Sequence, residues 1–103
     1  VAAAETLGAV VRPAGWSNFG PWVDACADGT RTGAYVTGVL ELPGAEPRQF
    51  RGFARWAGTS FAAPHVAGRI AAVMSARRWT ARQAAEHLLA GPKWHAGYGV
   101  LVP

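Results

Sequence analysis

The sequence predicts an α/β fold in which a β-hairpin leads into a central alanine-rich helix, with a second helix behind it. Three observations carry this. Val66, Ile70, Val73 and Met74 fall at helical spacing. Thr80-Ala81-Arg82-Gln83 has the capping-box form, and Ala84, Ala85, Leu88 and Leu89 supply an apolar stripe after it. Arg48, Phe50 and Gly52 alternate with Gln49, Arg51 and Phe53, a loose period of two. At 103 residues, 50% of them apolar, the chain has the composition of one small folded domain rather than a disordered segment.

Residues 1–11 are small and apolar apart from Glu5 and Thr6. They read either as a buried strand continuing into a short extended piece or as a frayed helix. Arg12-Pro13-Ala14-Gly15 is turn chemistry. The loop Trp16-Ser17-Asn18-Phe19-Gly20-Pro21 carries two aromatic anchors, and Trp22-Val23-Asp24-Ala25-Cys26-Ala27 reads as a short strand closed by Asp28-Gly29. Residues 30–56 read as a hairpin. Residues 33–40 and 48–56 are its strands, and Pro43-Gly44-Ala45-Glu46-Pro47 is its surface turn. Phe53 and Trp56 are expected in the core, with a binding surface as the other reading.

The central stretch is residues 57–75. Gly58-Thr59-Ser60 is a tight turn feeding a helix, with Thr59 as the expected N-cap. Pro64 lacks an N–H, its ring crowds the Ser60 carbonyl, and Ala63 before it is biased away from helical angles. The first turn is therefore expected to depart from α-helix, with Ser60 at an exposed, irregular tip. Gly68 costs roughly 1 kcal/mol relative to alanine inside a helix, with close packing as the expected compensation. A serine at a helix start suits nucleophilic chemistry, because unpaired N–H groups and the positive end of the macrodipole meet developing oxyanion charge. The plainer reading is a serine that only caps. The helix ends at Arg77-Arg78-Trp79, Thr80 opens the second helix with Glu86 and His87 facing outward or at the edge of its apolar stripe, and Gly91-Pro92 stops it.

The run Gly58-Thr59-Ser60-Phe61-Ala62-Ala63-Pro64-His65-Val66-Ala67-Gly68 closely resembles the segment around the catalytic serine of subtilisin-like serine peptidases, the subtilases. Ser17-Asn18-Phe19-Gly20-Pro21-Trp22-Val23-Asp24 resembles the segment two strands upstream of that serine, and Gly97-Tyr98-Gly99 resembles the closing strand. One departure is Ala27-Asp28-Gly29, where the family usually has Ala-Pro-Gly. The resemblance implies that residues 1–103 are the C-terminal, nucleophile-bearing part of a catalytic domain. Its fold would be part of a three-layer arrangement, a parallel sheet with flanking helices. It implies a serine endopeptidase with Ser60 as nucleophile, a polypeptide substrate and a secreted location. His65 matches a structural position of the motif rather than the general base. Asp24 matches a non-catalytic strand aspartate, and Asn18 is not the oxyanion asparagine.

A triad needs a base beside the nucleophile and an acid to orient it. His65, His87 and His95 all follow Ser60, whereas the family order places acid and base before it. The acid, the base, the oxyanion asparagine and the rest of the domain are thus expected upstream of Val1, and the isolated chain is expected to be inactive. Two rivals use the same residues. A non-catalytic subtilase-like binding domain would use the five tryptophans as contacts. An α/β-hydrolase esterase would read Gly58-Thr59-Ser60-Phe61-Ala62 as a nucleophile elbow, with Glu86 and His95 downstream, but Ala62 stands where its last glycine belongs. Net charge is +4 with dispersed arginines, which speaks for solubility rather than nucleic-acid binding. No apolar run spans a bilayer. Cys26 stands alone, so no internal disulfide forms. No acidic cluster has calcium-ligand spacing, so neither metal nor cofactor is expected.

Overall fold

The computed structural model describes residues Val1–Pro103, the side chains of residues 34–36 excepted. In chain order the elements are β1 (Ala2–Leu7), β2 (Val10–Pro13), β3 (Ala25–Asp28), β4 (Thr30–Leu40), β5 (Arg48–Ala57), α1 (Thr59–Arg77), α2 (Ala81–Leu89), β6 (Trp94–His95) and β7 (Gly99–Leu101). Five strands form one mixed sheet in the order β2-β1-β3-β7-β6. Its centre, β1, β3 and β7, is parallel, and β2 and β6 are antiparallel edges. β4 and β5 form a separate two-stranded antiparallel sheet, the expected hairpin. The strand expected over residues 33–40 falls within β4, and its reading for the side chains of 34–36 lies outside the described residues.

The N-terminal stretch is strand, not helix. Gly8, at φ 61°, turns the chain tightly enough for Leu7 to pair with Val10. Arg12 and Pro13 belong to β2, so the turn expected at residues 12–15 comes later, at Gly15 and Trp16. β3 begins only at Ala25. Trp22 lies in a turn in which the Val23 N–H donates to the Gly20 carbonyl at 3.1 Å. The hairpin tip is the expected Pro43-Gly44 turn, closed by the Ala45 N–H on the Leu42 carbonyl at 3.1 Å.

The core is built from small residues. On one face of the sheet Ala3, Ala25 and Ala27 meet Ala62 and Val66 of α1, with Val102 beside them and Ile70 packed against the cluster. On the other, Ala2, Ala4, Cys26 and Leu101 are buried beneath Val23 and Tyr98. Alanines on both partners let α1 approach the sheet closely, so the position of its N-terminus is set by close backbone contact. α2 carries the expected capping box. The Thr80 hydroxyl accepts from the Gln83 N–H at 3.3 Å, and the Gln83 side chain accepts from the Thr80 N–H at 3.0 Å. α1 ends where Arg78 takes left-handed backbone at φ 56°. Among the described residues no helix is long and apolar enough to cross a membrane.

The large apolar side chains are mostly outside. Phe53 is 73% exposed and Trp56 46%, which overturns the expectation that they pack in the core. Both lie on a separate two-stranded sheet, and such a sheet has no interior of its own to fill.

Candidate active site

The residues that hold Ser60 begin in the sheet. The Gly29 N–H, just past β3, donates to the Ala4 carbonyl, and the Gly58 N–H donates to the Gly29 carbonyl, both at 2.9 Å. These two bonds tie the junction between β5 and α1 to the carboxyl end of β3. That is the edge of a parallel sheet at which α/β folds place ligands. Ser60, the second residue of α1, is exposed there.

The N-cap of α1 is Gly58, not Thr59, and no side chain caps the first turn. Gly58 is extended at φ 173°, and its carbonyl accepts from the Phe61 N–H at 3.0 Å, a tightened i to i+3 closure. The helix then runs unbroken through Pro64, so the expected irregular first turn is replaced by continuous α-helix. Pro64 is exposed, and its ring meets solvent rather than a packed neighbour. Gly68 also departs from expectation. A β-carbon there would meet nothing within 4 Å, so its glycine has no packing compensation.

With no capping side chain and no acidic residue in the first turn, the N–H groups around Ser60 keep their partial positive charge unneutralised. The adjacent Phe61 helps line an apolar hollow of about 390 Å³ with Leu40, Phe50, Ala54 and Trp56 of the hairpin. Among the described residues no imidazole and no carboxylate hydrogen-bonds the Ser60 hydroxyl. His87 lies edge-on to Trp79, and His95 is in β6. Glu86 is paired with Arg82 at 2.8 Å on the exposed side of α2. Ser60, Glu86 and His95 are therefore not joined, as an α/β-hydrolase would require. Asp24 is exposed before β3, where its carbonyl accepts from the Val100 N–H at 2.9 Å.

His65 is part of a cluster that the sequence did not single out. Asp28 accepts from the Thr30 N–H at 2.9 Å and pairs with Arg31 at 3.1 Å. The other guanidinium nitrogen of Arg31 meets His65 Nδ1. Arginine only donates, so Nδ1 accepts, and the ring proton resides on Nε2, which donates to the Pro103 carbonyl at 3.1 Å. The root of the hairpin, the flank of α1 and the end of the last strand are thereby joined. The signal in the sequence was Asp28 itself, standing where a proline would neither accept nor turn the chain in this way.

Burial pushes the Cys26 thiol up from its ordinary pKa, by desolvation. It is buried within the sheet and unsuited to nucleophilic work.

No curated protein and no solved structure matches the chain. A family model does: that of the peptidase S8 subtilase family, over residues 6–91. The mixed sheet, the two helices and the hairpin before α1 are compatible with part of such a domain. That match covers most of the 103 residues, and the chain belongs to the subtilase family of serine peptidases.

Proposed function

We propose that the chain is the nucleophile-bearing part of a subtilase catalytic domain, residues 1–103, and that it serves an endopeptidase in which Ser60 is acylated. The observation that carries this is Ser60, exposed on the uncapped N-terminus of α1, which is pinned through Gly58 and Gly29 to the carboxyl end of β3. In this reading Ser60 Oγ attacks the scissile carbonyl as a base removes its proton. Negative charge develops on the carbonyl oxygen near the first-turn N–H groups. The intermediate collapses with loss of the amine, protonated by the same base. Water then hydrolyses the ester and restores the hydroxyl.

The base, the acid that orients it and an asparagine donor for the oxyanion are assigned to sequence preceding Val1, as is the rest of the substrate cleft. On that assignment the chain alone hydrolyses no peptide at an enzymatic rate, since removing triad members costs several orders of magnitude in turnover. The full-length protein is expected to be labelled at Ser60 by a fluorophosphonate and to lose labelling and proteolysis in Ser60→Ala. Retention of proteolysis by that variant overturns the mechanism. One observation favours a non-catalytic binding domain instead: Trp16, Trp22, Trp56 and Trp94 are all exposed. Full-length protein that folds but takes no label would decide for it.

A further inference from the structure

The hairpin is rich in arginine and short of partners for it. Arg31 is paired with Asp28, but Arg48, Arg51 and Arg55 make no ion pair among the described residues. The hairpin also curls. Leu42 and Glu46 from its tip line the same concavity, about 340 Å³, as Trp56 and Ala57 from its root, and Arg48 and Arg55 are also in its lining. Trp56 also lines the apolar hollow bordered by Phe61, the neighbour of Ser60 in α1, so the two hollows share this side chain as a wall. Among the described residues the outer edge of β5 pairs with no other strand, which leaves its backbone groups free for an extended chain.

The chemistry of the lining selects an occupant. Arg48 and Arg55 are both exposed, and their two guanidinium groups present forked donors to a carboxylate. Glu46 is the one carboxylate in the lining and is out of ion-pair reach of both arginines, so the site keeps an excess of positive charge. A continuous polyanion such as a nucleic-acid strand would be repelled at Glu46. A single acidic side chain on an extended polypeptide fits it. We propose that this concavity receives an acidic residue of the polypeptide on which Ser60 acts, with Arg48 and Arg55 as specificity-determining residues. The proposal rests on the peptidase reading for the identity of that polypeptide.

The test uses full-length protein carrying Ser60→Ala, so that no peptide is consumed. Capped hexapeptides in an alanine background carry one glutamate, or glutamine in its place, moved through each position. At one position the glutamate peptide is expected to bind about tenfold tighter than its glutamine twin. Arg48→Gln with Arg55→Gln should abolish the difference, and Arg51→Gln should leave it. If the double variant loses its circular-dichroism signature, the two single variants decide, and each should shrink the difference. No glutamate preference at any position, a preference that survives the arginine changes, or tighter binding of an oligothymidylate would overturn the proposal. Fluorophosphonate labelling of the unmutated protein separates the two ideas. Preference without labelling removes the peptidase reading and leaves the acidic site, whereas labelling without preference does the reverse.

Discussion

Among the described residues Ser17 is the one buried polar side chain, and removing its hydroxyl tests how the sheet edge is held. It is 6% exposed. Its Oγ accepts from the Ala3 N–H at 2.8 Å and donates to the Asn18 carbonyl at 3.0 Å. β2 ends at Pro13, opposite Ala4, and beyond it the Ala14 N–H serves the Ala3 carbonyl at 2.9 Å. That leaves the Ala3 N–H without a strand partner, and the serine side chain takes the strand's place. Ser17→Ala strands this N–H at a residue that is 0% exposed. An orphaned buried donor costs about 1–3 kcal/mol. With a urea slope of about 1–3 kcal/mol per molar for a small domain, the unfolding midpoint should fall by on the order of 1 M. Amide exchange at Ala3 should accelerate by the same free energy. Ser17→Thr, which keeps the hydroxyl, should lose less. A midpoint within about 0.2 M of the unmutated chain, with Ala3 exchange unchanged, refutes the assignment.

Three further outcomes follow from single positions. Gly99 sits at φ 73° with its missing β-carbon directed into the Asp24 carbonyl. Gly99→Ala should therefore cost about 3 kcal/mol or more in urea unfolding, and an unchanged midpoint would remove that contact from the account. Arg78→Gly relieves a left-handed backbone at the end of α1; a gain of about 1 kcal/mol is expected by the same measurement, and a loss would mean that the arginine side chain stabilises the cap. Cys26 has its thiol pushed up by burial, so the unfolded thiol ionises first. Its contribution to stability is full below about pH 8.5 and declines as pH rises above it. Cys26→Ala should flatten that alkaline decline, and Ellman's reagent should label the native thiol only as fast as the chain opens.

What was legible in the sequence was local. The Pro43-Gly44 turn and the Thr80–Gln83 capping box follow from residues that touch their own neighbours, and both form as expected. The β1–β2 hairpin was hidden because its strand is Ala2-Ala3-Ala4, residues without strand preference, and its turn is Gly8-Ala9 rather than an asparagine-glycine pair. The late start of β3 was hidden for another reason. The Gly20 N–H is held by the Gly97 carbonyl at 2.8 Å, a contact across most of the chain. Phe53 and Trp56 misled because apolar character describes what a side chain would gain by burial, not whether a surface exists to bury it. At the candidate site, the exposure of Ser60 follows from its place at a helix start. The bond between Arg31 and His65, 34 positions apart, required the fold.

Pro64 is where the local rules and the structure disagree most, and it lies one turn from Ser60. α1 is continuous across it, yet the Ser60 carbonyl lacks the N–H that residue 64 would ordinarily supply. A proline inside a helix costs about 3 kcal/mol relative to alanine, and its restriction of the unfolded chain returns only about 0.4–1 kcal/mol. Pro64→Ala should therefore raise the urea midpoint, by a net of about 2 kcal/mol if the helix cost is fully expressed so near the N-terminus. A new bond from residue 64 would also hold the Ser60 carbonyl within the helix ladder. If the chain tolerates proline here because a free carbonyl keeps the Ser60 backbone adjustable during acylation, the same variant should be labelled more slowly by a fluorophosphonate in the full-length protein. Stability and reactivity then move in opposite directions, as they do where a local rule is broken at a working site. A variant that gains stability and labels at the original rate would leave Pro64 with no part in the chemistry. One that loses stability would show that the ring is compatible with this first turn and that its cost was overestimated.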